Sequence, residues 1–157
     1  MSVSRLVGMV SLFLLIALPA LAQSTGANVM SDLGDNLRRE LTGYTIQSSN
    51  DRIQVLDKES GAEVLSIREQ GPQNVAITAN IGSVSEMSSE SLAIVEDRIA
   101  LFNFSSDVGT LTYDDQSGTV AMSHNLNPRA VPVAQMVRVT SLCGDVAREQ
   151  ARTLSAQ

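Results

Sequence analysis

Tryptophan is absent from this chain, and histidine, cysteine and lysine occur once each, at His124, Cys143 and Lys58. Each scarcity removes a class of chemistry. A sole cysteine permits no intrachain disulfide, so packing alone must hold the fold. Cys143 lies among apolar residues at helical spacing and reads as a buried small hydrophobe. One Cys and one His cannot make a structural zinc site in a single chain. Nucleophilic catalysis needs a poised Ser or Cys, a base and an orienting carboxylate. The bases on offer are His124, which shares strand parity with Val120 and Met122 and so points to the core side near a strand end, and Lys58, which falls in a turn. The aromatics beyond residue 22 are Tyr44, Phe102, Phe104 and Tyr113, too few for a base-stacking platform. Glycines are scattered singly, and none opens a helix with Lys-Ser/Thr behind it, so there is no phosphate cradle. "DDQSG", residues 114–118, has two aspartates and a glycine but lacks the alternating ligands and closing glutamate of a calcium loop. No catalytic, cofactor-binding or metal-ligating residue is assigned, and an enzyme is not expected.

Positive charge is scarce as well. Lys and Arg number 11 against 17 Asp and Glu, a formal charge of −6, which argues against nucleic acid as a partner.

What is present begins with "MSVSRLVGMVSLFLLIALPALAQ". One positive charge at Arg5, an apolar run from Leu6, a break at Pro19 and small residues at Ala20 and Ala22 predict a secretory signal peptide over residues 1–22, cleaved between Ala22 and Gln23. The apolar run is shorter than the ~20 residues that span a bilayer, so no stable membrane span is expected after cleavage. Cleavage would leave 135 of the 157 residues and a formal charge of −7, since Arg5 departs. That is one domain's worth of chain, expected as a flexible lead over 23–28 and a single domain over 29–154. The expected location is periplasmic or secreted.

Apolar spacing then alternates between two periods. Met30, Leu33, Leu37 and Leu41 recur at three- and four-residue steps and predict a helix that Gly43 ends as a left-handed cap. From Tyr44 to Ile81 the period is two. Ile53 and Val55, then Val64 or Leu65 with Ile67, then Val75, Ile77, Ala79 and Ile81 mark strands, separated by turns at "DKESG" and "EQGPQN". A second helix starts at a capping box of Ser83 and Glu86, or at Ser88 or Ser89 a turn later. Leu92, Val95, Ile99 and Phe102 form its buried stripe, with Ile94 and Leu101 at the flanks. A hairpin turning at Asp114 to Gly118 follows. The last helix carries Met136, Val139, Cys143 and Val146 inward, and Gly144 within it marks either a break or a close backbone approach.

The joint between the second helix and the hairpin, Asn103-Phe104-Ser105, matches an N-glycosylation pattern. It reads better as a helix stop, in which asparagine takes left-handed φ and Phe104 folds back onto Phe102 or Ile99. The predicted fold is α+β: an antiparallel sheet of about five strands with three helices, in the order α-β-β-β-α-β-β-α.

"ITANIGSV" running into a helix, then "IALFNFSSDVGTLTYDDQSGTVAMSHNLNP" and the helix after it, resemble the type III secretion chaperone-like fold of class I secretion chaperones and YbjN-like proteins. Asn103, Gly109 and Pro128 fall at the matching places, and the resemblance spans roughly Val29 to Leu154. Class I chaperones dimerise and wrap extended segments of a secreted partner around hydrophobic patches. They do so in the cytoplasm, which the signal peptide contradicts here, so the resemblance points to an exported member of the YbjN-like branch. It implies a non-enzymatic, chaperone-like module of the bacterial envelope that binds a segment of an envelope or secreted protein and forms a homodimer. Two alternatives stand beside it. One is a small-ligand or weakly catalytic site centred on His124 with Asp114 or Asp115; the other is a structural subunit that only dimerises.

Overall fold

The computed structural model describes residues 26–156. The signal peptide expected over residues 1–22 lies outside the described residues. Helix α1 spans Gly26–Glu40, followed by strands β1 (Tyr44–Ser48), β2 (Arg52–Asp57), β3 (Glu63–Glu69) and β4 (Val75–Ser83). Helix α2 (Ser89–Ser105), strands β5 (Thr110–Asp114) and β6 (Thr119–Leu126), and helix α3 (Val133–Ser155) complete the order.

The six strands form one antiparallel sheet in the order β1-β2-β3-β4-β6-β5. The expected α+β class and three helices stand, with six strands where about five were expected. The difference lies in "YTIQSSNDRIQVLD", which is two strands. Ser49 N–H donates to Arg52 O (2.7 Å), and the Ser49 hydroxyl bonds the Asp51 carboxylate, so Ser49 to Arg52 reverse the chain with no glycine or proline to announce it.

Alternation decides which sheet face is covered. Ile46, Ile53, Val55, Leu65, Ile67, Ile77, Ala79, Val120 and Met122 are buried under the helices. The opposite face carries Gln47, Gln54, Thr78, Asn80, Thr112 and Asn125, largely in solvent. Val64 and Leu65, which compete for the buried side by period alone, both face it. The β2–β3 register skips Val64 at an irregularity beside Val55 and Leu56, and a bulge of this kind puts two neighbouring residues on one side.

On α1, Met30, Leu33 and Leu37 are fully buried against the sheet and α3. Gly43 does not take the left-handed conformation expected of a cap. It is absent from the glycines with positive φ, and α1 ends in a turn closed by Tyr44 N–H to Leu41 O (3.1 Å). On α3 the buried face is Met136, Val137, Thr140, Cys143, Gly144 and Ala147, with Val139 and Val146 only half-buried. Thr140 is tolerated at the centre because its hydroxyl donates to Met136 O. The helix continues through Gly144, where a Cβ would meet Leu65 Cδ1 at 3.5 Å. Neither expected reading is realised: the helix does not break, and what faces Gly144 is a side chain at ordinary contact distance and no close backbone. Burial pushes the Cys143 thiol up to about 11, which leaves it inert.

Candidate protein-binding surface

Ser88 caps α2, its hydroxyl accepting from Ser91 N–H at 3.2 Å, while Ser83 stays in β4. The later of the two expected starts is the real one. From there the helix lies over β5 at the margin of the sheet and buries one face: Val95 fully, Leu92, Ile99 and Phe102 in part.

Its other face is apolar too. Ile94, Leu101 and Phe104 are 43, 66 and 91% exposed. Ile94 and Leu101 stand two turns apart, and Phe104 follows three residues on, so the three share one side of the helix. Asp97 lies on the same side, and no basic residue occupies the helix's last turn. Arg98, four residues on from Ile94, lies on that side as well, so the apolar stripe is bordered by charges of both signs on a protein of net negative charge. A fourth exposed apolar residue, Leu142, borders a shallow groove on α3 with Pro132, Gln135, Arg138 and Val139.

The helix does not stop at Asn103. It runs to Ser105, and Ser106 closes it with N–H to Phe102 O (2.8 Å). No non-glycine residue has positive φ, so the expected left-handed asparagine is absent among the described residues, and Phe104 points to solvent instead of folding back. The reason is the amide of Asn103: Nδ2 donates to Leu111 O (2.8 Å), and Oδ1 accepts from Leu111 N–H (2.7 Å). Those two bonds tie α2 to β5 and require a helical Asn103. The side chain that fits a glycosylation pattern is therefore engaged at both ends.

The residues of the alternative, His124 with Asp114 or Asp115, are not brought together. His124 is on the core side as parity predicts, and its Nδ1 accepts from Gly109 N–H (3.0 Å), which pins the loop into β5. Asp114 pairs with Thr119 at the far end of the same hairpin, and Thr119 lies five residue steps along the strand from His124, about 17 Å. Asp114 is occupied in its own turn. It accepts from the Ser117 hydroxyl and from Gln116 and Ser117 N–H, which hold its carboxyl below the ordinary range. Asp115 is exposed beside it. Among the described residues no group of three or more His, Cys, Asp or Glu could hold a metal ion. The apolar seam between α2, α3 and the sheet, lined by Ile81, Val95, Ile99, Leu111 and Leu154, encloses about 30 Å³, room for a water or two. Among the described residues no helix is long and apolar enough to cross a membrane.

No protein-family model and no curated protein matches the sequence. Solved structures do. The chain is similar to a structure from the HopA1-SchA chaperone-effector complex, with a TM-score of 0.55 and 13% identity over 79% of this chain and 94% of that one. It is also similar to a chain of the heterodimeric ExoU-SpcU complex from the type III secretion system of Pseudomonas aeruginosa, at a TM-score of 0.49 and 12% identity over 83% and 98%. A third is a structure of the Yersinia pestis type III secretion chaperone SycH with a fragment of YscM2, at 0.45 and 15% over 78% and 97%. At such identities the first likeness shows the fold, that of type III secretion chaperones, which is the fold the sequence resembles.

Proposed function

We propose that this protein is an exported, non-enzymatic binding module that holds an extended segment of an envelope or secreted protein, as a YbjN-like member of the chaperone-like fold working in the periplasm or beyond. The observation that carries the proposal is the exposed apolar stripe of Ile94, Leu101 and Phe104 on α2. A Phe 91% exposed beside a Leu 66% exposed is surface that water solvates poorly, and contiguous patches of this kind mark interaction sites. The net negative charge of the protein favours a segment that is apolar at its anchors and basic between them. The fold it shares with a structure from a chaperone-effector complex supports the same reading, as does the lack of converging catalytic groups around His124. The signal-peptide pattern of residues 1–22 supports export. We further propose a homodimer in the absence of the partner, in which the stripe, the same patch on both copies, is the contact.

The test uses the exported protein and its Leu101→Ser, Phe104→Ser double variant as baits in envelope extracts, with molar mass by light scattering on each. The expected result is a saturable partner and a dimer with the wild type, both lost in the double variant while thermal stability is held. A partner captured equally by both proteins would overturn the assignment to α2. Cell fractionation that leaves the protein in the cytoplasm with residues 1–22 intact would overturn the assignment to the envelope.

A further inference from the structure

The outer strands of an open sheet present unpaired N–H and C=O groups to any other strand. In this sheet those are β1 and β5. Both are met by a side chain from a helix. At β1, Arg38 Nε donates to Ile46 O at 3.4 Å, and its guanidinium also reaches the Ser48 hydroxyl. This covers a carbonyl and leaves the neighbouring N–H groups alone. At β5 the contact is complete, because Asn103 bonds both the N–H and the C=O of Leu111.

The geometry has a specific meaning. In an antiparallel ladder, a hydrogen-bonded pair of residues exchanges two N–H···O bonds, and the pairs alternate with residues whose groups face the other way. Leu111 lies opposite Met122 of β6, yet it spends both backbone groups on Asn103, so its groups face outward. Asn103 gives Leu111 one acceptor and one donor, as a residue of a seventh strand would. We propose that Asn103 is a strand mimic that closes the β5 edge, and that the strand it keeps out is β5 of a second copy.

The second copy is the fitting occupant for reasons of sequence and symmetry. Thr110 to Tyr113 are Thr, Leu, Thr and Tyr, all strand formers without charge. An antiparallel β5–β5 contact centred on Thr112, which sets Leu111 of each chain opposite Tyr113 of the other, is the same patch on both chains and closes as a two-fold. Asp114 enters only at its end, so no like charges face each other at the centre. Tyr113, two residues beyond Leu111, carries the next outward pair of groups, and with Leu111 released the edge offers two consecutive pairing positions. The inference concerns a strand edge and stands apart from the α2 stripe proposed above.

Hydrogen exchange on the purified wild type tests the mimic directly. After correction for intrinsic rates, the Leu111 amide is expected to exchange about tenfold more slowly than that of Tyr113, which faces the same edge without a partner. Asn103→Ala should bring the Leu111 amide to the Tyr113 rate while Ile77 and Met122 stay protected, and should raise the molar mass at high protein concentration. Made in the Leu101→Ser, Phe104→Ser background, the Asn103→Ala variant should still associate, which separates the β5 edge from α2. Equal exchange at Leu111 and Tyr113 in the wild type would overturn the proposal, as would an Asn103→Ala protein whose mass does not change. If that variant loses protection at Ile77 and Met122, it has unfolded, and the wild-type contrast alone decides.

Discussion

Two glycines with opposite requirements set the first prediction at the residue scale. Gly118 has φ +63°, and a Cβ there would meet Ser85 Cβ at 2.7 Å and the Ser85 backbone at 3.0 and 3.1 Å. Its carbonyl accepts from Val84 N–H, fastening the β5–β6 turn to the end of β4. Gly118→Ala must therefore strain the backbone, at about 1–3 kcal/mol, or break that contact. Gly144 is helical, and its Cβ would find Leu65 at ordinary contact distance, so Gly144→Ala should gain about 0.5–1 kcal/mol from helix propensity. Denaturant midpoints should move in opposite directions for the two variants. Acid stability belongs to the same scale. Asp57 is held low by Ser60 N–H and hydroxyl, then by Glu59 N–H, and Asp114 by the Ser117 hydroxyl, then by Gln116 N–H. Both carboxyls lie below the ordinary 3.8 in the folded chain. The stabilisation is then present above that value and lost as pH falls through the folded-state pKa. An Asp57→Asn, Asp114→Asn protein should show a shallower decline of melting temperature below pH 3.8 than the wild type. Parallel acid limbs would refute this.

Helix α2 carries the argument at the scale of elements. It is apolar on both sides, packs on one of them, and sits at the margin of the sheet over β5. The Ser88 cap closes its start, and the Asn103–Leu111 pair and a half-buried face join it to the sheet. Ser88→Ala should cost about 1 kcal/mol by leaving Ser91 N–H without its acceptor. Amide exchange along Ser89 to Val95 should quicken more than in α3, whose buried face is longer. Uniform quickening in α2 and α3 would mean that the helices open together. The cap was readable as one of two serine signals, and the buried stripe was readable from its spacing. The exposed partner stripe was half readable: Ile94 and Leu101 stood at the flanks of the predicted face, while Phe104 was expected to fold back. Spacing gives the angle of a side chain about the helix axis but says nothing about how far the neighbouring element extends to cover it.

At the scale of the whole molecule, the period-two and period-three-to-four patterns of the chain determined the α+β class, the three helices, the inward faces of β2, β4 and β6, and the structural place of His124. These follow from local chemistry, since apolar residues must leave water whatever packs on them. The scarcity of His, Lys and Cys likewise disfavoured most catalytic sites before any fold was known. Tertiary structure alone decided the rest. It placed β6 between β4 and β5 and split one apparent strand in two at Ser49–Arg52. It put Val64 and Leu65 on one side through an irregular register, and kept Asn103 helical because Leu111, eight residues on, presents an open N–H and C=O. Each of these depends on which backbone groups remain unpaired after the sheet has formed. That is a property of the assembled edge, and no single segment of the sequence contains it.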